Sequence, residues 1–358
     1  MRPQLQRSVN RVVFQRNPNL YFKISTESVV SVLLTDSDGA QFEEGREYEL
    51  IDLGSRFVDP ATHQRRERLL ADIVNARLSL TEGWYFKDIK NILGKSTVSY
   101  TDMARALRTG KKDTQQYTQY WGFNTLVDMC TGDVAQMLLL LRDIVAQAGG
   151  AELFRTPSTT IPLIPEVQDT AIRRLGGHFL ERVAKVRFDD PEIRKRVWNF
   201  LQSVGSVQDE VQEGTFDLGV HLQRIVQAIG TVAHWEVQNL NSRNVKGNPP
   251  KQPCRIEVKD PIEFPTPELE IIYSQLLQYG LLIRDVRGKS RSGAVVPRLH
   301  LRRLLLPKFR LTFSQRDNVG LSIGEFLLML TDPAKWERHM CTKRRRTFKW
   351  GHQVLLDE

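Results

Sequence analysis

The sequence predicts an α/β chain that is mostly helical, closing with a capped helix that leads into a basic two-stranded ribbon. Three observations carry that reading. Apolar residues recur at helical spacing through most of the chain, whereas short strand-like runs are confined to residues 20–53 and 255–301. The residues of a helix start and a helix stop bracket positions 266–280, immediately before the ribbon. Residues 281–358 hold 17 Lys and Arg against seven Asp and Glu, so the whole of the net charge of +9 arises in and beyond that ribbon.

Taken in order, residues 4–15 read as the end of a helix and residues 20–25 as a buried strand. Residues 29–34 form a second apolar run. Asp36 to Gly39 make a turn, and residues 48–53 are another strand. Leu69, Leu70, Ile73, Val74 and Leu78 mark a helix over 65–78, and Met103 and Leu107 a shorter one. Asp133 is placed to cap a helix striped by Val134, Met137, Leu138, Leu141 and Val145. Leu139, Leu140 and Ile144 widen the stripe enough to require enclosure by other elements. Gly149 and Gly150 stop it, and Pro157 to Pro165 read as a linker.

Three helical patterns follow at 166–187, 191–204 and 216–239, then a second Pro- and Gly-containing linker over 244–253 and a strand at 255–258. Thr266 suits an N-cap, Pro267 the first helical position, and Glu268 and Glu270 the positive end of the dipole. Leu269, Ile272, Tyr273, Leu276 and Leu277 repeat on one face, and Gly280 stands where a left-handed cap belongs. In the ribbon, 281–286 is apolar, 287–293 is a tip rich in Gly, Ser and cations, and the return run alternates. Val295, Leu299 and Leu301 are expected on one face, and Arg298, His300 and Arg302 on the other. One helix is expected within 320–338, followed by a solvated basic tail around Lys343 to Arg346.

A helix followed by a basic ribbon is the outline of a winged-helix-like module. Its cations, Arg284, Arg287, Lys289, Arg291, Arg298 and Arg302, are the expected nucleic-acid-binding residues. The expected partner is duplex DNA held mainly by its phosphates, because each Lys or Arg placed on a phosphate releases condensed counterions.

Other chemistry is not encoded visibly. No run approaches the roughly 18 apolar residues of a membrane span, and the N-terminus lacks the apolar core of a secretory leader, so a cytoplasmic location is expected. Cys130, Cys254 and Cys341 lack CxxC spacing, the seven His include no HExxH, and no GxSxG elbow occurs. His221 and His234 lie among apolar residues and read as core or boundary histidines; Asp189 and Asp190 precede Pro191 as a helix cap would. No metal site and no active site of an isolated enzyme is expected.

Leu20-Tyr-Phe-Lys-Ile-Ser25, Glu44-Gly-Arg-Glu-Tyr-Glu-Leu-Ile-Asp-Leu53, and Trp121-Gly-Phe-Asn-Thr-Leu with Thr131-Gly-Asp133 resemble the later part of bacterial AAA+ ATPases of the origin-recognition and cell-division-control (Orc/Cdc) type. The resemblance implies late AAA+ core strands over 1–60, a helical lid over 61–150, a helical middle domain over 151–250, a winged-helix-like domain over 251–340 and a basic tail over 341–358. It implies a nucleic-acid-binding protein, with Ser25 near the γ-phosphate and Arg46 as an arginine finger reaching a neighbouring subunit's nucleotide. Pairing of Arg46 with Glu43, Glu44 or Glu47 at the surface is the plainer alternative.

The chain departs from the family pattern where nucleotide would bind. Gly94-Lys-Ser-Thr97 ends like a P-loop, but Ile89 replaces the first glycine and the stretch follows a helical pattern. No strand ends in Asp-Glu, and Val134-Ala-Gln136 supplies no arginine after the lid Asp133. The expectation is therefore that the P-loop half is lacking and that the chain alone holds no cofactor. ATP and Mg would then bind only in a complex completed by an ATPase partner or by self-assembly. Two other readings remain open from the residues: a protein-interaction subunit of a bacterial defence or mobile-element complex, and a complete ATPase represented only in part.

Overall fold

Helices enclose a small mixed sheet in this computed structural model, which describes residues 3–14, 22, 42, 47–49, 63–96, 120–130, 134–156, 161–185, 191–205, 216–239, 255–259, 262–285, 290–291, 294–295, 298–313 and 318–354. The expected strands at 20–25, 29–34 and 48–53, the helix near Met103 and the linker at 244–253 lie essentially outside those residues.

Helix α1 spans Pro3–Val13 and α2 spans His63–Ser79. Helix α2 buries Arg66, Leu70, Ala71 and Val74, and Leu69 of the expected stripe is exposed. Helix α3 (Ile89–Leu93) starts at Asp88, whose carboxylate accepts the Lys90 N–H at 3.0 Å. Helix α4 (Phe123–Met129) and helix α5 (Val134–Gln147) follow; α5 buries Met137, Leu140, Leu141 and Ile144 as its width requires. The three helices expected next appear as α6 (Pro165–Ala184), α7 (Pro191–Ser203) and α8 (Leu218–Asn239).

Where the Pro157–Pro165 stretch is described, it is anchored at one residue, between exposed Pro162 and Ile164. Leu163 is buried, and its N–H donates to Ile92 O at 2.8 Å. Gln168 secures this corner: its Oε1 accepts the Gly122 N–H at 2.9 Å, and its Nε2 donates to Leu93 O and Leu163 O at 3.0 and 2.8 Å. A fully buried amide with its bonds made ties three chain segments to α6, and leaving any of those groups unpaired would cost about 1–3 kcal/mol.

The C-terminal elements are β1 (Arg255–Val258), α9 (Pro267–Gln278), β2 (Leu282–Asp285), β3 (Ser290–Arg291), β4 (Ala294–Val295) and β5 (Arg298–Leu301). A 3-10 segment (Arg303–Phe309), β6 (Asn318–Leu321), α10 (Ile323–Thr331) and α11 (Pro333–Val354) complete them. The sheet order is β2-β5-β1-β6, antiparallel except for β1 with β6. The ribbon is therefore present, with Ile283 opposite His300.

The end of the chain corrects the sequence reading. The helix expected within 320–338 is present as α10, which carries Ile323, Phe326, Leu327 and Leu330, but the end of β6 precedes it and a second helix, α11, follows. The two helices part at Asp332, which leaves helical backbone (φ −130°, ψ 82°) before Pro333, because proline disfavours helical backbone in the residue ahead of it. Helix α11 then runs through the basic stretch from Lys343 to Arg346, where a solvated tail is expected from sequence.

Helix α8 packs on α6, α9, α11 and the 3-10 segment. Its His221 is buried, and burial lowers its pKa to about 4, so the neutral ring donates from Nε2 to Leu330 O at 2.7 Å and joins α8 to α10. One apolar core connects α2 through α11.

Candidate nucleic-acid interface

Helix α9 is built as its residues dictate. Thr266 takes N-cap backbone geometry, the five expected apolar residues are buried, and Gly280 closes the helix at φ +59°. A side chain at Gly280 would also meet Arg302, whose Nη1 lies 3.2 Å from the position of a Cβ. Strands β2 and β5 form the base of the hairpin, and β3 pairs with β4 further out, Arg291 opposite Ala294. Arg284 on β2 is exposed, and its charge partly offsets the rise that burial gives the Tyr273 hydroxyl pKa. For Arg291 the backbone alone is described; Arg287, Lys289, Ser25 and Arg46 lie outside the described residues.

Alternation misplaces one expected contact. Arg298 was expected on an outward face, yet all four residues of β5 are buried. Arg298 stands opposite Glu257 of β1, with Nε 3.5 Å from Oε2, a charge contact inside the protein. The physical reason is that β5 lies between β2 and β1 and is covered on both faces, so period-two patterning cannot assign a solvent side. His300 is buried with it. Arg302, half-buried, stacks its guanidinium 4.8 Å from the centre of the Phe179 ring on α6.

The outward face of α9 is not cationic. Glu268 accepts Nη2 of Arg196 from α7 at 2.8 Å, and Gln275 donates to Gln278 at 2.9 Å. The positive charge of this region is carried by the hairpin and by the segments after it.

Lys343, read from sequence as part of a solvated run, is engaged. It donates to Glu325, which also accepts from the Ser322 N–H at 3.0 Å in a capping box and lies 3.2 Å from His339 Nε2. Burial alone would raise the Glu325 pKa, but hydrogen bonds from Lys343, Ser322 and His339 outweigh it and bring it from 4.5 down to about 2. A depressed carboxylate contributes stability above its unfolded pKa and loses it as pH falls through the folded value. The junction of α10 with α11 is thus expected to weaken between pH 4.5 and about 2. Glu325→Gln, which keeps an acceptor for the cap, is expected to lose roughly 2 kcal/mol at neutral pH and to melt with a flatter acid limb. Denaturant melts across that range check this, and coincident pH profiles of parent and variant would sink it.

Gly94-Lys-Ser has the backbone of a helix end. It stands at the C-terminal end of α3, where carbonyls rather than N–H groups are unsatisfied and the dipole repels anions. Gly94 has φ +74°, its N–H bonds to Lys90 O, and its own carbonyl accepts the Phe123 N–H at 2.9 Å. Pro162 and the close approach of Gly122 to Ser96 fill the remaining side.

Among the described residues no group of three His, Cys, Asp or Glu is placed to hold a metal ion, and no helix is long and apolar enough to cross a membrane. In comparisons with known proteins, a family model described as ORC-CDC6-like matches residues 95–321. No curated protein and no solved structure matches the chain.

Proposed function

The chain belongs to the ORC-CDC6-like family, and on that premise we propose that this AAA+-related protein grips duplex DNA through its β2–β5 hairpin, used as a wing. One observation supports the reading most. The hairpin is anchored at its base in a packed sheet with Arg284 exposed at the root, and the sequence between β2 and β4 includes Arg287, Lys289 and Arg291. The order β2-β5-β1, with α9 between β1 and β2 in the chain, supports a winged-helix assignment. Contacts of this kind hold phosphates and set orientation while carrying little sequence information.

Binding to unrelated duplexes, measured over a series of salt concentrations, tests the proposal. Affinities that agree across sequences and fall steeply with salt are expected. A shallow dependence would favour the second reading, a protein-interaction subunit of a defence or mobile-element complex whose basic end holds a protein partner.

The proposal includes a division of labour over nucleotide. The chain alone does not hydrolyse ATP; a partner or a further copy supplies the phosphate cradle, ATP and Mg bind there, Ser25 senses the nucleotide and Arg46 acts in trans. The helix-end geometry at Gly94 supports the part of this that concerns Lys95. Lys95→Ala is expected to leave nucleotide binding and hydrolysis unchanged in any assay of the chain. Magnesium-dependent turnover abolished by that substitution would make the segment a functional P-loop.

A further inference from the structure

We propose that a second phosphate-binding surface lies on α6 and the 3-10 segment, centred on Lys308 and Arg310 and flanked by Arg174 and Arg302, and that it holds the backbone of the same duplex as the wing. The inference rests on the DNA-binding reading above and adds to it a surface of which the sequence patterns marked Arg302 alone.

The ridge is assembled by close packing. A Cβ on Gly176 would lie 3.0 Å from Leu304 O, so the 3-10 segment rests directly on α6. Lys308 then crosses the helix beside Gly177, its Nζ 3.8 Å from the position of a Cβ there. Arg174, one turn earlier on α6, is exposed on the same side as Gly177. Arg302 is held in place by its stack on Phe179. Because residues 302–310 follow β5 without interruption, these cations begin at the root of the hairpin.

Arg310 carries the argument furthest. It ends the 3-10 segment with its N–H on Pro307 O at 3.1 Å, and it adopts the left-handed conformation, φ 53° and ψ 49°. Among described residues it is the non-glycine with positive φ. Glycine makes that cap without the steric penalty of a Cβ. The backbone therefore gains nothing from arginine at this position, and what arginine adds is an exposed positive charge. Neighbouring cations are otherwise occupied: Arg173 is tied to Asp169 at 2.8 Å, and Arg182 donates to Gln136. Of the acids on α6, Asp169 is engaged by Arg173, and Glu181 is exposed. A row of separate cations on rigid backbone, without an apolar centre, suits a phosphate chain better than a protein surface.

The test uses the full chain carrying Arg310→Gly with Lys308→Ala, the wing pair Lys289→Ala with Arg291→Ala, and all four together. The ridge variant is expected to melt at or above the parent temperature, since a glycine relieves the left-handed residue. It should bind duplex DNA roughly tenfold or more weakly at low salt, with a log–log salt slope flatter by about two, and its effect should multiply with that of the wing. A folded ridge variant with parental affinity and slope, beside a weakened wing variant, overturns the ridge and leaves the wing reading intact. Weakening by the ridge with none by the wing keeps the ridge and removes the wing. An absence of duplex binding by the parent overturns both.

Discussion

Gly219→Ala is expected to destabilise the protein by about 3 kcal/mol, the upper end for inserting a methyl into a packed site that cannot yield. Gly219 lies in the first turn of α8, and a Cβ there would be 2.0 Å from Val183 O and 3.0 Å from the Ala184 carbonyl carbon. Those are backbone atoms at the end of α6, so relief requires the two helices to separate and not a side chain to turn. The same substitution elsewhere calibrates the effect. At Gly230 the obstruction is the Phe309 ring, 2.3 Å from a Cβ, and a half-buried ring can shift at lower cost. At Gly324 nothing lies within 4 Å, and alanine there should be neutral or stabilising by a few tenths to about 1 kcal/mol. Denaturant melts of the three variants should rank Gly219 below Gly230 below Gly324. Parental stability in Gly219→Ala would mean that α6 and α8 do not meet this closely.

Replacing Lys289 and Arg291 together with alanine is expected to weaken duplex binding by roughly a hundredfold, taking about 1.5 kcal/mol for each charge-assisted contact to a phosphate. The loss should be similar for unrelated sequences, because phosphate contacts position the protein without reading bases. The logarithm of affinity should depend less steeply on salt by about one unit for each contact removed. The melting transition should hold, since exposed loop charges away from the core usually change stability by less than about 0.5 kcal/mol. Filter-binding or anisotropy titrations at several salt concentrations, with a melt of the variant, decide the matter. A folded double variant with parental affinity and slope would move the DNA contact away from the hairpin tip.

Much of the fold was legible because the signals that make it are local. Helices Pro165–Ala184, Pro191–Ser203, Leu218–Asn239 and Pro267–Gln278 follow apolar spacing and stops within a few residues of where they were expected. The hairpin was legible for the same reason, two strand-like runs around a tip rich in Gly and Ser. The capping box of Ser322 with Glu325 is written just as plainly in the sequence, a Ser followed three residues later by Glu ahead of an apolar run.

The candidate sites were less legible, because each depends on a residue far away in the chain. Whether Arg298 faces water was decided by β1, which supplies Glu257 and makes β5 an interior strand. Whether Lys343 is free was decided by Glu325 on the neighbouring helix. Gly94 became a helix end braced by Phe123 and Pro162, although its tetrapeptide spells the close of a P-loop. The ridge of Lys308 and Arg310 exists only because Gly176 lets the 3-10 segment settle onto α6. By itself the sequence determined where helices and turns form and where positive charge accumulates, since backbone propensity and side-chain spacing act over three or four residues. Tertiary structure decided which of those charges are buried, paired or left facing solvent, since that depends on groups many residues apart brought together by packing.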